Sequence, residues 1–312
     1  MDFNMKTLKI TIIWVVAALL TLSSCRVTEV VDPDIDIPGL GGYEYPENDL
    51  DRWLTEVFRE PYHIEIVYRW DAVKVYNGVT KRLVPVEYDK VKPMMTAISK
   101  IWFEPYLFVA DYGFLQKYAP KTVVLAGSPE YAGDGGSLVR GTAEGAVKIF
   151  LTNANALNPS NRTTLRNYMH VIEHEFVHVL NQSVNFNEKF TEITPQYYDP
   201  TGWTSHKTEE EAYRRGFFSR YSMVSPDEDF AEVMSLMLVN GVDWFEETVL
   251  PVADTSTVNP FAAKNLRDKV AAVETYLGEE FNIQFFDNAV TGEKGFITVV
   301  QEAMDYVINN SN

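Results

Sequence analysis

A chain of 312 residues that is 46% hydrophobic and 23% charged, with 15 prolines and 17 glycines, has the composition of a globular protein and excludes a fibrous or wholly disordered one. That length accommodates one large domain or two modest ones. The formal net charge of −17 opposes the positive footprint that a phosphate backbone demands, so no nucleic-acid partner is expected and most of the charge reads as a solvated acidic surface.

At the start of the chain, Lys6 and Lys9 flank the beginning of the apolar run ITIIWVVAALLTL, which has the length of a signal-peptide core rather than of a full bilayer span. The run ends in Leu22, Ser23, Ser24 and Cys25. These residues resemble the bacterial lipobox, in which a leucine, two small residues and a cysteine direct lipid attachment to the cysteine and cleavage before it. The resemblance implies a signal peptide over 1–24 and a mature lipoprotein beginning at Cys25, exported to the cell envelope and tethered to a membrane by acyl chains. An uncleaved anchor with a free thiol is the other reading, and it gives no reason for the position of Cys25, the only cysteine of the chain. A single cysteine excludes an intramolecular disulfide. Residues 25–46, rich in Asp, Pro and Gly without sustained periodicity, read as a flexible tether.

A folded domain is expected over 47–312. Leu50, Trp53, Leu54, Val57 and Phe58 recur at helical spacing behind Asn48, a fitting N-cap. HIEIVYRW at 63–70 reads as a strand, Lys92 to Trp102 as a helix, and KTVVLAG at 121–127 and AVKIFLTN at 146–153 as strands. A helix is predicted from Asn161 or Thr163 to Asn181, on which Leu165, Met169, Ile172, Phe176 and Val179 mark one apolar stripe. Thr208 and Glu209 to Glu211 open a further helix with an acidic first turn. The segments 261–281 and 296–309 are helices that pack on or near the body. The pattern describes an α+β domain, mostly helical, with a small mixed sheet packed on the helix of 161–181, and without internal repeats.

That helix carries the chemistry. In VIEHEFVHVL, 171–180, His174 and His178 are four apart and stack one turn above the other, so their ring nitrogens can converge on one cation. Glu175 is rotated by about 100° from His174 and can reach a water beside that cation, which makes the stretch zinc ligand, general base, zinc ligand. His170, four before His174, offers an alternative pair, set against a structural role as a hydrogen-bonded helix residue. A third ligand is needed. Asn181 and Val184 stand where a metzincin requires Gly and His, and Tyr197 and Tyr198 stand where the thermolysin arrangement requires Glu, so both classes are excluded. Farther on, Ser225 caps and Pro226 opens a helix that stops at Asn240 and Gly241, with Glu228 and Glu232 on one face. Two glutamates at that spacing repel unless a cation or an imidazolium-like partner sits between them. Glu228 is also placed to fold back on Ser225 as the second half of a capping box. Asp229 and Glu232 are the alternative ligands, and His206 is a further candidate beside the aromatics Phe190, Tyr197, Tyr198 and Trp203, which form either a pocket wall or core.

HEFVH followed after about fifty residues by YSMVSPDEDFAE resembles the gluzincin metallopeptidases of the anthrax lethal factor type, and more closely the zinc-binding metallopeptidase lipoproteins of Bacteroidetes. The lethal-factor type has a Tyr seven residues before its Glu ligand and another Glu four after it, and Tyr221, Glu228 and Glu232 match that spacing. The resemblance implies a zincin-like fold, one Zn2+ per chain held by His174, His178 and Glu228, and Glu175 as general base. It also implies Tyr221 as the hydroxyl that stabilises the oxyanion and Glu232 as the acceptor that orients a ligand histidine. The expected function is a membrane-tethered, monomeric peptidase acting on peptide or protein substrates, at the outer membrane or cell surface. In zincins the strand before the catalytic helix is an edge strand, which here assigns that role to AVKIFLTN. A non-catalytic surface lipoprotein of the same fold that binds a glycan or a partner protein is the alternative, and intact Glu175 and Tyr221 argue against it.

Overall fold

Asn48 opens the first helix as expected: its side chain accepts from the Asp51 N–H while the Asp51 carboxylate accepts from the Asn48 N–H. The computed structural model describes residues 46–70, 83–131, 138–139, 141–144 and 148–311. The expected signal peptide, Cys25 and all but the last residue of the tether lie outside the described residues. Helix α1 runs over Asp49–Leu54, widens to a π-helical turn at Thr55–Arg59 and closes at Glu60–Tyr62. Strand β1 is Glu65–Val67. Helix α2 covers Tyr88–Ile98 and continues through π-helical Ser99–Phe103 into Glu104–Val109. It begins a turn before the expected Lys92, so Pro93 lies inside it and one backbone bond is missing. Burial of Val91, Met94, Met95 and Ile98 offsets that loss. Helix α3, Tyr112–Tyr118, is capped by Asp111 and was not read from the sequence.

Strands β2 (Thr122–Leu125), β3 (Glu130–Tyr131), β4 (Leu138–Val139), β5 (Gly141–Glu144) and β6 (Lys148–Leu151) follow. The main sheet has the order β1-β2-β6-β5, with β1, β2 and β6 parallel and β5 antiparallel to β6, while β3 and β4 form a separate hairpin. Ile66 registers with Val123, and Val124 with Phe150. Alternate residues serve two cores: Val123, Leu125, Ile149 and Leu151 enter the main one, and Val67, Val124 and Phe150 pack with Leu83 and Ala126 on the other face. The sheet is mixed as expected, but AVKIFLTN is not its edge. Strand β6 is paired on both sides, and among the described residues the edge next to it is β5.

Asn161 caps helix α4, Arg162–Ser183, by accepting from the Thr164 N–H. The predicted stripe is interior: Leu165, Met169, Ile172, Phe176 and Val179 are all buried, with Phe176 edge-on to Trp102 and Tyr106. Helix α4 packs on β5 and β6 on one side and on α6, Pro226–Trp244, on the other. The helical path of α6 breaks at Gly241, whose φ of 83° and ψ of 173° suit only glycine. The short α5 (Glu209–Tyr213) precedes it; after it come α7 (Leu250–Asp254, entered through π-helical Phe245–Val249), α8 (Ala262–Phe281) and α9 (Phe296–Asn310).

Candidate metal centre

Helices α4 and α6 bring three ligand atoms to one point. His174 Nε2 and His178 Nε2 lie 3.1 Å apart, and Glu228 Oε2 lies 2.9 Å from the first and 3.2 Å from the second. The one-turn offset on α4 aims both rings the same way. Glu228 reaches them because Ser225 starts α6 beside them: the Ser225 hydroxyl accepts from the Glu228 N–H at 3.3 Å, while the Glu228 carboxylate turns to the imidazoles. The Ser225 cap on the Glu228 N–H thus coexists with the histidine contact, while the Glu228 carboxylate turns to the imidazoles rather than back to the Ser225 N–H as the second half of a capping box. Burial raises the pKa of Glu228, but the hydrogen bonds from His174 and His178 outweigh it and hold the carboxyl at about 2.

This set fits a zinc ion. Nitrogen and oxygen ligands about 2.0–2.2 Å from a common ion at tetrahedral angles stand roughly 3.3–3.5 Å from one another, and the three distances here fall a few tenths of an ångström short of that. Two ring nitrogens at 3.1 Å both facing one carboxylate oxygen crowd their hydrogens if each carries one, whereas two lone pairs and a carboxylate facing one cation are compatible.

Glu175 is buried beside His174. Burial lowers the pKa of His174, but the hydrogen bonds to Glu228 and Glu232 outweigh it and raise the pKa to about 10, with Glu175 a smaller contributor. Tyr221 sits just ahead of α6 with its ring centroid 5.8 Å from that of His174, and Trp203 packs edge-on against it at 5.3 Å. Tyr221 is 38% exposed. Partial burial, then the neighbouring Glu228 carboxylate, push its phenol above the ordinary value of 10 and keep it protonated.

Residues 44–286, which include all of these groups, match a protein family described as "Putative zinc-binding metallo-peptidase". The chain belongs to this family. It is also similar to the 2.10 Å crystal structure of a protein described in the same words, from Bacteroides caccae ATCC 43185, with a TM-score of 0.62 and 25% identity over 83% of this chain and 91% of that one. No curated protein matches the sequence. The fold is accordingly α+β and zincin-like.

Around the ligand atoms of this zinc-binding-family member, the remaining candidates sort by contact. Glu232, 3% exposed, sets Oε1 2.8 Å from His174 Nδ1, off the line of a straight hydrogen bond. The same oxygen accepts from His170 Nε2 at 2.8 Å, and Oε2 accepts from the Ser219 hydroxyl at 2.5 Å. Asp229 is turned away: its carboxylate accepts from the buried Lys269 Nζ at 2.7 Å and from the partly buried Tyr198 hydroxyl at 2.9 Å. His206 is held by Glu211 at 3.1 Å and faces Asp199 at 3.5 Å, apart from the three ligand atoms. Of the four aromatics read as a wall or as core, Phe190 is core and Tyr198 serves Asp229, whereas Trp203 stands at the site against Tyr221. Ser219 was not singled out by sequence. Ser219 lies two positions before Tyr221, close enough in sequence to have been considered.

The segment leading to Tyr221 is bracketed from behind. Ser256 Oγ donates to the Arg214 carbonyl at 2.6 Å, Asn259 Nδ2 to the Arg215 carbonyl at 3.0 Å and Lys269 Nζ to the Gly216 carbonyl at 2.7 Å. Gly216 has φ +87°, and a side chain there would meet Asn265 Cβ at 3.1 Å. Three consecutive carbonyls thus tie this stretch to α8 and the turn before it.

Proposed function

We propose that the chain is a zinc-dependent peptidase of gluzincin type, with one Zn2+ held by His174, His178 and Glu228. The observation that carries this reading is the meeting of those three ligand atoms within 3.2 Å, on a buried helix whose motif also supplies Glu175. When bound, zinc supplies Lewis acidity and lowers the pKa of water in its open position. Glu175 takes a proton from the attacking water and returns it to the leaving amine. Tyr221, kept protonated, donates its hydroxyl hydrogen to the oxyanion that develops on the scissile carbonyl. Glu232 faces the Nδ1 side of His174 at 2.8 Å, which leaves Nε2 for the metal. Among the described residues β5 is the outer strand next to β6, and an extended substrate would pair its backbone there. Cys25 is the proposed lipid anchor, with the monomeric domain at the outer membrane or cell surface and peptides or proteins as substrates.

The experiment is metal analysis and digestion of a peptide library by wild type and Glu175→Gln. The reading requires about one zinc per chain in both and cleavage by the wild type alone. Zinc without cleavage points to the binding-protein alternative, and a folded protein that takes up no zinc removes the reading altogether.

A further inference from the structure

We propose that His170 is a positioning residue of the metal centre: it holds Glu232 in the place from which Glu232 orients His174. The inference rests on His174, His178 and Glu228 forming the metal-binding set.

His170 lies on α4 one turn before His174, with the two rings 6.0 Å apart and at 80° to each other. Its Nε2 donates to Glu232 Oε1 at 2.8 Å, the oxygen that also faces His174 Nδ1 at 2.8 Å. The contact with His174 is off-line, so it fixes the carboxylate poorly. The contact with Ser219 holds only the other oxygen. His170 is therefore the group that keeps Oε1 against His174. An ionised carboxylate only accepts, which assigns the Nε2 hydrogen to His170 and uses the lone-pair direction that a metal would need. His170 Nε2, His174 Nδ1 and Glu232 also come close enough together to resemble a second ligand trio. Ligation there would draw both nitrogens of His174 onto metals and take away the N–H that faces Glu232, so the geometry points to the outer role for His170. The three helical histidines thus divide their work: His174 and His178 face the ion, and His170 secures the carboxylate behind His174.

The test uses the full chain, stripped of metal, with zinc affinity measured by competition against a chromophoric chelator, and folding of each apoprotein followed by circular dichroism. His170→Leu is expected to bind zinc about tenfold more weakly, at the low end for loss of an outer-shell partner, at unchanged stoichiometry. His170→Gln, whose amide can reach Glu232 from a similar position, should recover most of that loss. His170→Asn, one methylene shorter, should not, and this pair carries the test if the leucine variant does not fold. Wild-type affinity in His170→Leu together with weakened binding in Glu232→Ala overturns the role of His170 while leaving the ligand set standing. Abolished binding in His170→Leu with full binding in His178→Ala makes His170 a ligand and also overturns the proposal. Wild-type binding in Glu228→Ala and His178→Ala overturns instead the ligand set on which the proposal rests.

Discussion

Glu228 Oε2 lies 2.9 Å from His174 Nε2 although 54 positions separate the two residues, and the same glutamate gives its backbone N–H to the Ser225 cap. Substituting each end separates the two functions. Glu228→Ala is expected to lose zinc while keeping the start of α6, because the Ser225 hydroxyl still receives the N–H of residue 228. Ser225→Ala is expected to cost about 1 kcal/mol of stability and to retain zinc. Thermal unfolding with and without zinc reads both: saturating metal at a thousand times its Kd stabilises by about 4 kcal/mol, and that increment should vanish in Glu228→Ala and persist in Ser225→Ala.

How far the site was legible follows from the kind of signal each residue leaves. His174, Glu175 and His178 form a local motif, and Ser225 with Pro226 is a local helix start, so period and capping chemistry were enough to place them. The face on which Glu228 lies was equally local, but its partner was not: the resemblance alone named the histidines, and packing of α6 along α4 shows that Glu228 meets them while Asp229, one residue on, meets Lys269. A rotation of about 100° per residue separates a carboxylate facing the two histidines from one in a buried ion pair. The edge assignment failed for a similar reason. AVKIFLTN has the apolar run of a strand buried on both faces, and the β5 strand that covers its other side precedes it in sequence. Helix α2 starts early because tertiary burial outweighs the break expected at Pro93.

In the proposed mechanism Tyr221 bears on rate rather than on metal binding. Its hydroxyl is kept protonated by burial and by Glu228, and its ring is backed by Trp203. Tyr221→Phe is expected to lower kcat by about 10²–10³, the range for loss of one oxyanion donor, with zinc content and KM little changed. Steady-state kinetics on a cleavable peptide, with metal analysis of the same sample, is the check. A fall in KM or zinc comparable to the fall in kcat removes the assigned role.

Lys269 and Asp229 are both fully buried and paired at 2.7 Å, with Lys269 also holding the Gly216 carbonyl. Removing one member of a buried pair strands the other charge, so Lys269→Met is expected to destabilise the protein by about 3–5 kcal/mol. Adding Asp229→Asn, which keeps an acceptor for the Tyr198 hydroxyl but removes the charge, should recover a large part of that. Denaturant unfolding of the single and double variants measures the coupling. Additive losses would mean that the pair is not coupled as its geometry requires.

Glu173 lies on α4 beside His174 but faces the core, where the Tyr106 hydroxyl donates to Oε2 at 3.0 Å and Oε1 has no hydrogen-bond partner among the described residues. Burial outweighs that single bond and raises its carboxyl from 4.5 to about 8. The folded protein therefore holds a proton on Glu173 that the unfolded chain releases near pH 4.5. Stability linked to this group is fully present below pH 4.5 and falls as pH rises towards 8, with a limiting slope of about 1.4 kcal/mol per pH unit for one proton. Asp229, raised from 3.8 to about 6 by burial, adds a slope of the same sign at lower pH. His174, for which burial is outweighed by the hydrogen bonds to Glu228 and Glu232 that raise the pKa from 6.5 to about 10, adds another above 6.5, so the difference between wild type and variant, rather than the wild-type slope, reports Glu173. Glu173→Gln, which keeps the acceptor for Tyr106 and cannot ionise, is expected to flatten the decline between pH 6 and 8 and to be the more stable protein at pH 8. Unfolding free energies of the metal-free wild type and variant across that interval decide it. Parallel curves would show that Glu173 is already ionised in the fold.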